Sequence, residues 1–518
     1  MFNRIKKYRA FLMIGGGVAF IFILTYVLSI YYPIPSAEEE QIIDIVDSSS
    51  ITANVAVSNN TESVENVKPF MLGSQTFTNS AKEEITVDLK GKIAIPTAEG
   101  ELPIVFIIPS QSSLVYDSND YEVILSEIAK KNCVAIYLDL AELLTNEQQD
   151  MNLVKQVFNA YRDELNAIIL GEKTTASLDL VNKASFSKVI MIGFEESVEA
   201  IYGISEDQLS QQQLNLESIL LINPKKTEEA IYSYPDVLTS FLIDSSLTDV
   251  ESLSSLKLFE EYRQEKARQS LTSYTLIESD YESCVTEDEN SQNQLDEQAS
   301  TKQEPDTKFL TQFIGDFLSA TFDSESENPI FSVTTALPDT LYQKKVRSAL
   351  IVPNTLRLIN PFIEEKATLN TLGGNNEVNN LKMEHETGDV SIFRLSLEET
   401  PATLSIEIPE EFKNLSQYDN ISMYMSVCTN NDSSTTQSTE ISMVLTDETG
   451  QSSTVTETAI ISPCDAKHGY HLSDERFVLS QFTGIDLNAI SEIKIELTDQ
   501  SIKTIVLGDL SLVKKPKE

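Results

Sequence analysis

The sequence predicts an α/β domain followed by an antiparallel β-sandwich, both preceded by an apolar segment. Between about residues 84 and 322, short apolar runs alternate with helical stretches, which is typical of a mostly parallel sheet covered by helices on both faces. After about Lys345 the helical periodicity ends, and short β-rich runs separated by polar turns follow, as in a sandwich. With 518 residues, the chain is long enough for two or three domains.

The N-terminal segment has the pattern of a membrane anchor. Residues 1–9 are basic, and residues 10–32 form an uncharged apolar run of about 23 residues, long enough to span a bilayer as a helix. The basic flank predicts a cytoplasmic N-terminus, so we expect a single-pass protein of the cell membrane with its bulk outside. A cleaved signal peptide is the alternative, although its apolar core is normally shorter and the cleavage pattern around Ser36-Ala37 is poorly formed.

Residues 33–70 are acidic and polar without sustained periodicity, which predicts a flexible stalk. The whole chain has a formal net charge of -42, from 80 acidic and 38 basic residues. A surface this negative repels nucleic acid, so we expect no nucleic-acid partner.

The α/β domain is predicted to cover residues 71–325. Residues 286–306 within it are rich in acidic and amide side chains and are expected to form a disordered loop. The helices are expected at Tyr121–Lys131, Leu153–Leu170 and Lys308–Phe322. The strands are expected at Glu84–Pro96 (one strand or a hairpin), Ile104–Ile108, Val134–Leu138, Lys188–Ile192, Ser218–Ile222, Leu238–Ile243 and Ser273–Ile277.

The β-sandwich is predicted at residues 345–515. Its last part, Phe477 to Val513, resembles the closing strands of jelly-roll modules found beside secreted hydrolases and in carbohydrate-binding proteins. That resemblance implies a jelly-roll fold and, as one functional alternative, binding of a glycan or cell-wall polymer. Sugars stack on exposed aromatic rings, and the chain has no Trp. The candidate rings are Tyr418, Tyr424, Tyr470 and Phe482.

Three segments of the α/β domain follow the order and spacing of a known fold. Leu102–Ile108 looks like a strand that precedes an oxyanion loop, Tyr121–Leu140 looks like the next helix and strand, and Lys188–Gly193 looks like the approach to a nucleophile elbow. From about Gln75 to Phe322 the chain therefore resembles the α/β-hydrolase superfamily, especially its secreted lipase-like and platelet-activating-factor acetylhydrolase-like members.

The residues at the elbow depart from the family pattern. The family carries G-x-S-x-G on a sharp strand-to-helix turn, whereas this chain has Gly193-Phe194-Glu195-Glu196-Ser197. The nucleophile position is thus Glu195, and Ser197 replaces the second glycine. A carboxylate does not form a useful acyl-enzyme, and it repels a developing oxyanion.

The other catalytic positions are also altered. The resemblance places the general base near Tyr281 and the acid near Asp249, and the chain has Pro109-Ser110 where the family commonly carries His-Gly. The three histidines, His385, His468 and His471, all follow the α/β domain. We therefore expect a pseudo-hydrolase that binds or scaffolds a surface protein or glycan. The alternative is an active esterase or lipase that uses another serine, among Ser110, Ser112, Ser113 and Ser197.

We expect no cofactor and no bound metal, with two alternatives. Acidic side chains gather near the elbow, and their oxygens would suit calcium or magnesium. These residues are Glu195, Glu196, Glu199, Asp244 and Asp249. The second alternative is the pair His468 and His471, although loop histidines are usually solvated.

The fold resemblance also bears on the four cysteines. Cys428 and Cys464 fall in the predicted sandwich and could form a disulfide. Cys133 and Cys284 belong to strands that the resemblance places about five strands apart, or roughly 24 Å, which is too far for a disulfide. We expect Cys133 to be a buried free thiol and Cys284 to be unpaired.

Overall fold

In the part of the chain that it describes, the computed structural model places two β-sheets and six α-helices. It describes residues 67–98, 100–109, 118–144, 150–175, 178–211, 214–225, 234–244, 249–265, 269–277, 307–322, 328–362, 368–387, 391–428, 438–462 and 472–514. The predicted anchor at 10–32, its basic flank at 1–9, nearly all of the stalk at 33–70 and the acidic loop at 286–306 lie outside these ranges. No helix within the described part of the chain is both long and apolar enough to cross a membrane.

The first sheet has ten strands, and its centre is parallel. In spatial order the strands run β1-β2-β4-β3-β5-β6-β7-β8-β10-β9. The pairs between β4, β3, β5, β6, β7 and β8 are all parallel. The bounds are β1 Lys68–Thr78, β2 Glu84–Ala94, β3 Leu102–Ile108, β4 Val134–Leu138, β5 Ala184–Phe194, β6 Leu216–Ile222, β7 Leu238–Asp244, β8 Thr272–Ile277, β9 Thr340–Leu341 and β10 Lys344–Ile351.

Helices cover both faces of this sheet because its central strands are apolar on both faces. Successive residues of β3 point to opposite sides, with Phe106 packed in a cluster that includes α3, α4 and α5 and Ile107 packed with α1 and α6. The predicted helix-covered sheet is thus present as a mixed sheet, which is parallel at its centre and antiparallel at both edges. The helices are α1 Ser118–Lys130, α2 Ala141–Leu144, α3 Met151–Ile169, α4 Val198–Gln211, α5 Asp249–Gln264 and α6 Thr307–Phe322.

Two boundaries differ from the sequence prediction. The sheet starts at Lys68, within the predicted stalk, because β1 pairs with β2 as an antiparallel hairpin. At the other end, β10 begins beside the predicted start of the sandwich at 345 but pairs with β8. It can lie there because Val346, Ala349 and Leu350 give it buried apolar residues on both faces.

The remaining strands form the sandwich, in the order β12-β15-β20-β17-β18-β16-β21-β14-β13, with β11 paired to β21 and β19 paired to β16. Its two layers enclose one apolar core, which includes Leu404, Met443 and Ile493 from one layer and Phe393 and Met423 from the other. The bounds are β11 Leu356–Ile359, β12 Asn376–Asn379, β13 Leu381–Glu386, β14 Ile392–Leu397, β15 Ala402–Glu407, β16 Asn420–Cys428, β17 Ser438–Asp447, β18 Ser452–Ser462, β19 Ser473–Val478, β20 Ile490–Leu497 and β21 Thr504–Val513.

Two strands of one layer of the sandwich, β16 and β21, are buried on both faces. Every residue of β16 is buried, and β21 is buried along all but its first residue. Tyr424 and Val506 belong to the same apolar cluster as the α/β core. The outer face of this layer therefore packs against the α/β domain, which leaves the outer face of the other layer to solvent.

The cysteines follow the sequence prediction where they are described. Cys133 is a buried free thiol, and burial raises its pKa to about 12. Cys428 is disulfide-bonded. Cys284 and Cys464 lie outside the described ranges, so the Cys428–Cys464 pairing remains a prediction.

Candidate functional site

The structure places Glu195 at the apex of a sharp strand-to-helix turn. Strand β5 ends at Phe194, one 3-10 turn covers Glu195–Ser197, and α4 begins at Val198. Glu195 has a φ of 47°, in the left-handed region that residues other than glycine rarely adopt. Such strain is a mark of the turn that presents a nucleophile in G-x-S-x-G proteins.

Gly193 is needed for the close approach of β5 and α4. A Cβ atom at this position would lie 2.3 Å from Ile201 Cδ1 and 2.7 Å from Ser197 Oγ. Ser197 itself is fully buried, and its hydroxyl has no hydrogen-bond partner among the described residues. Gly193 thus has a packing role at this turn, and Ser197 is enclosed in the turn.

The side chain of Glu195 is held by a lysine from the neighbouring strand end. Only 1% of Glu195 is exposed. Lys225, which follows β6, donates from Nζ to Glu195 Oε2 at 3.2 Å and to Glu196 Oε1 at 2.9 Å. The backbone N–H of Lys225 also donates to the carbonyl of Glu195 at 3.1 Å. We call Glu195, Glu196 and Lys225 the elbow triad.

Sequence reasoning missed Lys225, although a signal was present. It comes directly after Pro224 at the carboxyl end of β6, and carboxyl ends of adjacent parallel strands meet at the ligand-binding edge of such a sheet. A basic residue there lies within reach of an acidic elbow.

The elbow triad also bears on the metal alternative. The ammonium group of Lys225 lies between two carboxylates that a cation would need as ligands. Within the described part of the chain, no group of three or more His, Cys, Asp and Glu side chains could hold a metal ion. Of the other candidates, Asp244 donates its backbone N–H to Asn223 Oδ1 at 2.8 Å.

The other residues that the sequence analysis considered for catalysis are only partly described. Asp249 begins α5, and its side chain is not described. Tyr281, Ser110, Ser112, Ser113, His468 and His471 lie outside the described ranges. His385 lies on β13, where its Nε2 contacts the carbonyl of Pro361 at 2.8 Å.

Two of the aromatic rings considered for sugar stacking are buried. Tyr424 is 1% exposed and donates its hydroxyl to Glu260 Oε1 at 3.1 Å, because its strand faces the α/β domain. Phe482 is 3% exposed within the sandwich core. Tyr418 is partly exposed, and Tyr470 falls outside the described residues.

No family model matches the chain, and no curated protein matches it. Among solved structures, a dienelactone hydrolase from Anabaena variabilis aligns with 48% of this chain and 98% of its own, at a TM-score of 0.29 and 15% identity. A family 11 carbohydrate-binding module from Clostridium thermocellum, in complex with a mixed-linked tetrasaccharide, aligns with 32% of this chain and 98% of its own. The TM-score is 0.23 and the sequence identity is 11%.

An exo-β-agarase aligns with 31% of this chain at a TM-score of 0.24 and 14% identity, and this chain spans only 25% of the agarase. The chain thus has an α/β-hydrolase neighbour over about half its length and carbohydrate-binding-module neighbours over about a third. Because all of these TM-scores are below 0.5, we base the functional proposal on this chain's own residues.

Proposed function

We propose that the chain is a membrane-anchored cell-surface protein whose α/β domain is a non-catalytic pseudo-hydrolase and which acts by binding a partner. The observation that carries this proposal is the elbow triad: the side chain at the nucleophile position is a buried carboxylate bonded to Lys225. The anchoring rests on the apolar run at 10–32.

A hydrolase of this design needs a hydroxyl or thiol nucleophile with an adjacent base. At the elbow, the place of the nucleophile is filled by Glu195, whose carboxylate pairs with Lys225. The nearby Ser197 hydroxyl is enclosed behind the turn. The one described histidine, His385, lies on a sandwich strand. These features support a domain that keeps the hydrolase architecture without its chemistry.

The test is an activity measurement on the purified exported part, residues 33–518, with short-chain p-nitrophenyl esters and a fluorophosphonate probe. We expect neither turnover above the buffer rate nor covalent labelling. Labelling that disappears in Ser197→Ala, but persists in the exposed-surface control Ser442→Ala, would establish the alternative of an active esterase with atypical residues.

A second candidate function is weak glycan binding by the sandwich, and one surface favours it. The solvent face of the layer β12-β15-β20-β17-β18 consists mostly of hydroxyl, amide and charged side chains and has no aromatic ring. We call it the outer sheet face. Its side chains are Glu377, Asn379, Thr403, Ser405, Glu407, Glu440, Ser442, Val444, Thr446, Ser452, Thr454, Thr456, Thr458, Glu492, Lys494 and Glu496.

Hydroxyl and carboxylate groups can hydrogen-bond to sugar hydroxyls, but without stacking partners the affinity should be low. The measurement is retention of residues 33–518 on insoluble cell-wall polysaccharide. Thr456→Lys, on strand β18 of the outer sheet face, should abolish retention, whereas Ser74→Lys on β1 introduces the same charge in the other domain and should leave retention unchanged. Equal retention of the wild type, Thr456→Lys and Ser74→Lys, or retention of none of them, would exclude the outer sheet face as a glycan-binding site.

A further inference from the structure

The two domains meet at a polar contact, which we call the joint. It is formed by α5 and β10 of the α/β domain and by β16, β19 and β21 of the sandwich. At its centre Arg263 donates to both carboxylate oxygens of Glu260, at 2.9 and 2.6 Å, and to Asp509 Oδ2 at 2.5 Å. The guanidinium carbon lies 4.0 Å from the centroid of the Tyr424 ring.

A third carboxylate of the joint, Asp474 on β19, has a more distant cation beside its charge. Its side chain is 6% exposed and lies 3.8 Å from the Arg476 guanidinium. The backbone N–H of Leu350 on β10 donates to its Oδ2 at 2.8 Å. Arg476 is itself engaged, because its Nη1 donates to the carbonyls of Ser332 and Thr335.

Charged and titratable groups from several elements face Asp474. Arg476 and Glu475 come from its own strand, Arg263 from α5, and Asp509 from β21. Tyr424 on β16 is the cross-strand partner of Asp474. Burial raises the pKa of Asp474 to about 6, since it outweighs the opposing effects of Arg476 and the Leu350 N–H, and Asp509 adds to the rise.

The charged groups at the joint have little access to water. Asp474 and Asp509 line a cavity of about 40 Å³ together with Arg357, Ser422 and Ser511. That volume holds a water molecule or two and is far smaller than a ligand pocket of about 300 Å³ or more. The carboxylate of Asp474, whose side chain is 6% exposed, therefore has little contact with bulk water while the joint is closed.

We propose that the joint is a pH-responsive clamp, in which acidification tightens the packing of the sandwich against the α/β domain by protonating Asp474. When the joint opens, water reaches this carboxyl and its pKa returns towards its ordinary value of 3.8. The closed state binds the proton more tightly than the open state, so the contribution of Asp474 to closure is complete below about pH 4 and is lost between about pH 4 and pH 6.

Glu475 acts in the same direction. Burial raises its pKa to about 7, opposed by Ser473 and by Arg347 on β10, while Asp474 and Glu457 add to the rise. Its contribution to closure is lost between its ordinary value of 4.5 and about pH 7. Together the two carboxyls make neutral pH the condition in which the joint opens most readily.

Hydrogen exchange, analysed as protection factors at pH 5.0 and pH 7.5, tests the clamp in residues 33–518. In the wild-type protein, peptides from β10 and β19 should open at least about tenfold less at pH 5.0, whereas peptides from the β17–β18 hairpin, remote from the joint, should change much less. Because this comparison needs no variant, it stands even where substitutions impair folding.

Asp474→Asn removes the titration and keeps an acceptor for the Leu350 N–H. In this variant we expect the pH dependence of the β10 and β19 peptides to shrink by about tenfold, while Glu440→Gln, on the outer sheet face, retains the wild-type dependence. An unchanged pH dependence in Asp474→Asn, or an equal change in the β17–β18 peptides of the wild type, would overturn the proposal.

Discussion

The elbow and the joint each hold a cation between two carboxylates, but they use it differently. At the elbow, Lys225 bonds to Glu195 and Glu196, which are neighbours on one turn, and its side chain is 22% exposed. At the joint, Arg263 is 4% exposed and bonds to Glu260 on its own helix and to Asp509, which is 246 residues further along the chain.

The choice of cation fits each setting. Lysine is a hydrated point charge and tolerates a partly exposed position, whereas arginine presents a planar fork that can satisfy two carboxylates at once and stack on a ring. The elbow triad therefore fixes one local turn, while the joint links two domains. The comparison indicates that the ion pairs at the elbow hold neighbouring parts of one domain, whereas those at the joint hold the sandwich against the α/β domain.

The largest effect is expected from Arg263→Met. It leaves Glu260 and Asp509 buried without their main partner, and breaking a buried ion pair by removing one member costs about 3–5 kcal/mol. Urea unfolding of residues 33–518 measures the loss. Arg394→Met is the matched control, since Arg394 makes a similar two-bond pair with Glu386 on a more exposed surface and should cost no more than about 1 kcal/mol. Equal losses in the two variants would contradict the central role of the joint.

Lys225→Met should have an intermediate effect. Glu195 then keeps its burial but loses its counter-ion, at a cost of about 1–3 kcal/mol. Adding Glu195→Gln removes the uncompensated charge and should recover most of that loss, so the two changes are coupled in a double-mutant cycle. Strictly additive free energies of unfolding would show that the elbow triad does not act as one unit.

The fold was largely accessible from the sequence because its signals are local. The apolar run of β3 and the periodicity of α3 each specify one element without reference to the rest of the chain. The elbow could also be located, since Gly193 and the following residues lie in one short segment. The boundary at 345 could not be placed from the sequence, because the run that forms β10 fits either domain until its pairing with β8 is known.

The charged partners could not be found in the same way. Lys225 reaches Glu195 from another strand end, and Asp509 reaches Arg263 from the other domain. In a chain with 80 acidic residues, the sequence does not single out which carboxylates are buried. Burial is decided by the packing of β16 and β21 against the α/β domain, which is a tertiary property.

The smallest effect is expected from Glu196→Gln, which separates the two carboxylates of the elbow triad. The Glu196 side chain is 27% exposed, whereas the Glu195 side chain is 2% exposed. Water can therefore replace much of the stabilisation that the Lys225 ammonium group gives the Glu196 carboxylate. We expect a change of no more than about 0.5 kcal/mol in the free energy of unfolding, measured by urea titration beside Lys225→Met. A loss as large as that of Lys225→Met would mean that Glu196, rather than the residue at the nucleophile position, is the carboxylate on which the lysine's contribution depends.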